Sequence, residues 1–83
     1  MTIRKKLERA LESNGLFQDQ AVAVVQHFES SPAGEPMKGR LDEDETAYPP
    51  QLFGVLWISV QQAAVEWIDA NKPQHWARAV FAQ

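Results

Sequence analysis

Hydrophobic positions recur at helical spacing in three stretches of the chain. The longest is PPQLFGVLWISVQQAAVEWIDAN, residues 49–71. Wound as a helix, it sets Leu52, Phe53, Leu56, Trp57, Val60, Ala63, Ala64, Trp67 and Ile68 on one broad face. Pro49 and Pro50 suit its start, because the first turn of a helix has no use for the N–H that proline lacks. Asn71, ahead of Lys72 and Pro73, suits its end. At about 1.5 Å per residue such a helix is roughly 33 Å long, and it is the element on which the rest of the chain is expected to pack.

Upstream, Thr2 can cap a first helix reaching to about Asn14, with Ile3, Leu7, Ala10 and Leu11 on one face. Gly15 is placed to end it in the left-handed conformation, which would fold Leu16 back on Leu11. A second helix follows over residues 18–30, with Ala21, Val24, Val25 and Phe28 facing inward and Val22 near the edge. Its valines are poor helix formers, and a short strand over residues 22–25 is the competing reading. The spacing of the apolar positions favours the helix, and the tight link makes the pair an αα-hairpin.

The pattern stops over residues 31–48, SPAGEPMKGRLDEDETAY, where Pro, Gly and acidic residues collect. This is a long crossover loop, with Met37 and Leu41 as its pins to the core and a turn of helix expected over residues 35–40. Beyond Pro73, Trp76, Val80 and Phe81 recur at one-turn spacing, which predicts a short C-terminal helix folded against the long one. The fold class is therefore all-α. It comprises a helical hairpin, a long crossover loop, a long central third helix and a short C-terminal helix, in one domain over residues 1–83.

The chain has no cysteine, which excludes a disulfide framework, thiolate chemistry and cysteine-built zinc sites. Arg4, Lys5, Lys6 and Arg9 are not followed by the apolar run of a secretion signal, and no stretch approaches the ~18 apolar residues of a membrane span. A cytoplasmic protein without membrane association is expected. The net charge of −3 is unevenly placed: residues 1–40 carry +1 and residues 41–83 carry −4. That balance makes nucleic acid an unlikely partner, with the basic helix face Arg4, Lys5, Lys6 and Arg9 as the only candidate for it. Pairing of this face with the acidic run, within or between copies, is the more economical use.

The acidic run is Asp42, Glu43, Asp44 and Glu45. A calcium loop starting at Asp42 would need a glycine sixth and a carboxylate twelfth, where the chain has Ala47 and Phe53, so an EF-hand is excluded. The run is then either a solvated loop near the start of the long helix, whose dipole favours it, or a docking element for another protein together with Tyr48. His27 and His75 lie in different elements with no carboxylate at metal-ligand spacing. Ser59 and Thr46 have no arranged base. A non-catalytic protein without cofactor or metal is expected. On the long helix, Val55, Ile58 and Val65 form a second apolar stripe away from the main face, which calls for cover by the loop, by the tail or by a second copy, and a homodimer is the expectation.

Met37 with Arg40, the acidic stretch, Tyr48-Pro49-Pro50-Gln51-Leu52, Leu56-Trp57, Trp67-Ile68-Asp69, and Pro73 with His75-Trp76-Ala77-Arg78 and Phe81 together resemble a group of short uncharacterised proteins of bacteriophage and prophage genomes. The resemblance covers the C-terminal two thirds of the chain. It implies a phage setting, in which an inhibitor or adaptor of a host protein is the expected role, and it implies no catalytic residues.

Overall fold

The structure is a computed structural model and describes residues 1–71. It contains three α-helices: α1 (Ile3–Ser13), α2 (Gln18–Ser30) and α3 (Pro50–Asn71). Two 3₁₀ turns, Pro32–Met37 and Glu45–Ala47, lie in the crossover between α2 and α3. Among the described residues the only β-type pairing is an isolated antiparallel bridge between Thr2 and Asp44. The protein is all-α, as expected. The C-terminal helix predicted from Trp76, Val80 and Phe81 lies outside the described residues, as does His75.

Both ends of α1 follow from local chemistry. Thr2 is extended and its Oγ1 accepts the Lys5 N–H at 3.1 Å. At the other end Gly15 takes φ 108°, a conformation that side chains with a Cβ resist. Leu16 N–H donates to Leu11 O at 3.3 Å and Gly15 N–H to Glu12 O at 3.0 Å, the paired bonds of a Schellman ending. Leu16 and Leu11 are both buried, which closes the hydrophobic contact that accompanies such an ending.

α2 is helical through its valines, so the competing strand does not form. Ala21, Val24, Val25 and Phe28 are all fully buried. This helix, not α3, is the one packed on by the others: α1, α3 and the first 3₁₀ turn each lie against it. α1 and the first 3₁₀ turn are the direct chain neighbours of α2, whereas α3 arrives only after the crossover. α2 has 13 residues and α3 has 22, so α2 covers only part of α3. The buried positions of α3 run from Leu56 to Ile68, with Val60, Ala63 and Ala64 between, a stretch as long as α2 itself. Leu52, expected on the core face, lies ahead of it and is 45% exposed. Phe53, Trp57 and Trp67 are half-buried and pack on the core from its edge.

The crossover is pinned where the sequence indicated, with Met37 and Leu41 buried. Its helical turn comes earlier than expected, at Pro32–Met37, because Pro32 starts it directly after α2. Gly34 passes so close to the end of α2 that a Cβ there would lie 1.9 Å from Phe28 O. Among the described residues no helix is long and apolar enough to cross a membrane.

Candidate functional site

The first turn of any helix carries N–H groups without intrahelical acceptors. In α1 the crossover supplies them: Ile3 N–H donates to Glu43 O at 3.0 Å and Arg4 N–H to Leu41 O at 2.8 Å. With Lys5 N–H on Thr2 Oγ1 and Lys6 N–H on Thr2 O, the whole first turn is satisfied. Glu45 N–H returns a bond to Met1 O at 2.9 Å, so residues 41–45 run as a strap across the start of α1. Leu41 buries the start of this strap in the core, and of the acidic residues that follow it Asp42, Glu43 and Asp44 are exposed and Glu45 is half-buried.

Each carboxylate of the run faces a cation. Asp42 lies 3.0 Å from Arg4 Nε, Glu43 3.5 Å from Arg40 Nε, Asp44 3.3 Å from the Met1 ammonium and Glu45 3.4 Å from Lys6 Nζ. Arg4 also holds both oxygens of Glu29 at 3.1 Å, tying α1 to the end of α2. These contacts, the hydrogen bond to Asp42 first, raise the Arg4 pKa against the effect of its partial burial. The Thr46 hydroxyl and then the Thr46 N–H, with the Met1 ammonium, push the Asp44 carboxyl down to about 2. A carboxylate that weakly basic does not activate the Thr46 hydroxyl it accepts from.

The five residues expected to dock a partner are therefore differently placed. Asp42 stays 76% exposed despite its contact with Arg4. Tyr48 is half-buried, edge-on to Phe53 with ring centroids 5.5 Å apart, and Arg40 stands 5.7 Å from its ring centre. Of the basic face, Arg4 and Lys6 are engaged by the strap, and Lys5 Nζ lies 3.8 Å from Glu8. Arg9 is exposed. Three of its four cations already face carboxylates, which reduces the field available to a phosphate backbone.

α1 and α3 do not close on each other over their whole length. They leave an open cleft of about 350 Å³ lined by Lys6, Leu7, Ala10 and Ser13 from α1, by Asn14 at its C-cap, and by Phe53 and Trp57 from α3. Lys6 Nζ sits 4.2 Å from the Phe53 ring centre, a cation–π contact, and Leu7, Ala10, Phe53 and Trp57 make the wall mainly apolar, with Ser13 and Asn14 as its other polar residues. Sequence reasoning placed Phe53 and Trp57 in the core. Their spacing of four on one helical face gives no sign that the opposing helix stands off.

Away from the cleft, Val55 and Ile58 are 64% and 66% exposed and Val65 is half-buried. His27 Nε2 lies 3.6 Å from Glu66 Oε1 and makes no hydrogen bond. Glu8, which the sequence placed on no core face, is buried on α1. Among the described residues no three His, Cys, Asp or Glu side chains converge as metal ligands would. Comparison of the chain with family models, curated proteins and solved structures returns no match.

Proposed function

We propose that the protein is a non-catalytic interaction protein that acts by occupying a surface of another protein. The observation that carries this reading is the α1–α3 cleft, where Phe53 and Trp57 line an open apolar hollow of about 350 Å³. Aromatic side chains at the edge of a core, partly open to solvent, are the residue types that dominate binding energy at protein interfaces. The acidic strap forms part of the same rim: Glu45 reaches it through Lys6, and Tyr48 through Phe53. A partner segment with one bulky apolar anchor fits that combination, the anchor supplying affinity and Asp42, which stays 76% exposed, helping to orient it.

The resemblance to small phage and prophage proteins supports a role as inhibitor or adaptor of a host protein, exercised in the bacterial cytoplasm. The test is affinity purification followed by calorimetry with the protein identified, comparing the wild type with Ala10→Arg. Arginine is a good helix former and projects from α1 into the cleft. Binding weakened at least about tenfold, ~1.4 kcal/mol, with helical content unchanged, supports the proposal. Unchanged affinity of a folded Ala10→Arg variant removes the cleft from it.

A further inference from the structure

The α1–α3 cleft is an open hollow of about 350 Å³, with the half-buried rings of Phe53 and Trp57 in its α3 wall and Leu7 and Ala10 in its α1 wall. A ring entering it is met from two sides, and aromatic rings pack on one another at centroid distances of about 4.5–7 Å. Beyond residue 71 the sequence carries three bulky apolar residues, Trp76, Val80 and Phe81.

Reach decides which of them can serve the cleft. α3 ends at Asn71, 14 residues beyond Trp57, and at about 1.5 Å per residue that is roughly 21 Å along the axis. Residues 72–81 extend to at most about 34 Å; wound from Pro73 as the helix their spacing predicts, they still cover about 19 Å, within one side chain of the level of Trp57. The backbone of Trp76, five residues from Asn71, spans at most about 17 Å and stops short of that level. Phe81 is left as the anchor. Charge favours the return of this segment: residues 1–71 carry eleven Asp and Glu against six Lys and Arg, a net −5, whereas residues 72–83 carry Lys72 and Arg78 and no acid. Shape favours the cleft over the outer face of α3. Val55 and Ile58, 64% and 66% exposed, lie on the convex side of a single helix, where a ring is covered from below only, whereas in the cleft two helices enclose it.

We infer that residues 72–83 dock back into the α1–α3 cleft of their own chain, with Phe81 in the hollow, and act as a built-in competitor for the segment the cleft binds. The competitor role rests on the partner reading above; the docking itself does not. Joined by a short link, the tail meets the cleft at an effective concentration in the millimolar range, so an intrinsic dissociation constant of about 0.1 mM keeps roughly nine clefts in ten closed. A partner segment then binds about tenfold more weakly than it binds an open cleft.

The chain has no cysteine, so a single introduced thiol reports on cover. Ser13 lines the cleft and is exposed among the described residues, and Ile58 is exposed on the outer face. Ser13→Cys and Ile58→Cys are each prepared in the full chain, with Phe81 kept and with Phe81→Ala. Their alkylation by iodoacetamide is timed at several protein concentrations, and helical content is followed by circular dichroism. Phe81→Ala should speed the alkylation of Ser13→Cys about tenfold at every concentration, because the thiol reacts only while the cleft is open. The rate at Ile58→Cys should not change. Equal rates of Ser13→Cys with and without Phe81 would overturn the inference. An effect of Phe81→Ala at Ile58→Cys would overturn it too, placing the tail on the outer face. Protection of Ser13→Cys that fades on dilution would give the cleft to the tail of a second copy and overturn docking within one chain. No partner enters this assay, so its failure leaves the Ala10→Arg test of the cleft standing, and failure of that test leaves the docking of the tail to be read on its own.

Discussion

Arg4 joins three parts of the protein, and its removal is the sharpest test of how they hold together. It sits in the first turn of α1, where the helix dipole disfavours a cation, and of its two partners the less exposed, Glu29, sits at the end of α2, where the dipole disfavours an anion. Arg4 and Glu29 meet through two contacts of 3.1 Å between side chains that are each 24% exposed, where water screens the pair less than it does the exposed Asp42. Charge-assisted bonds of this kind are worth about 1.5–3 kcal/mol, and the exposed Asp42 contact adds at most about 1 kcal/mol. Relief of the unfavourable dipole contact returns about 0.3–1 kcal/mol. Arg4→Met, which keeps most of the apolar stem, should then destabilise by about 2 kcal/mol, or roughly 8–16 °C in Tm for a chain of this size. The assay is urea unfolding followed by tryptophan fluorescence, at one protein concentration so that association does not enter the comparison. A cycle with Glu29→Gln should show a coupling of about 1–2 kcal/mol. Arg4→Met within about 0.5 kcal/mol of wild type, or additive single changes, would refute the assignment of Arg4 as the tie between α1 and α2.

Two further predictions concern the strap. Leu41→Ala removes a fully buried side chain and should cost about 2–5 kcal/mol in the same urea assay, with faster amide exchange at Arg4, whose N–H is bound to Leu41 O. A loss under about 1 kcal/mol would show that the strap is not part of the core. Asp44, whose carboxyl is pushed down to about 2, contributes stability that is fully present above the ordinary carboxylate value of ~3.9 and is lost as pH falls through about 2. Between those limits the urea midpoint of the wild type should fall more steeply than that of Asp44→Asn. The difference should be small, since the carboxylate is more than half exposed, and parallel pH profiles would refute it.

Much of this architecture is legible along the chain because it rests on local rules. The Thr2 cap, the Gly15 ending with Leu16 folded on Leu11, and the inward set Ala21, Val24, Val25 and Phe28 each depend on residues within about two helical turns of one another. Met37 and Leu41 were recognisable as pins because apolar residues inside a long polar loop need cover. The pairing of the basic and acidic runs was visible as a tendency of opposite charge. Which carboxylate meets which cation was not, since that depends on the backbone bonds from Ile3 and Arg4 to the strap. The cleft was invisible for a similar reason: Phe53 and Trp57 have the periodicity of core residues, and only the distance between α1 and α3 leaves them open. Periodicity reports which face of a helix is apolar. How much of that face is covered is set by the length and angle of the helix packed on it, so the 13 residues of α2 against the 22 of α3 decided what stays buried and what is left to bind.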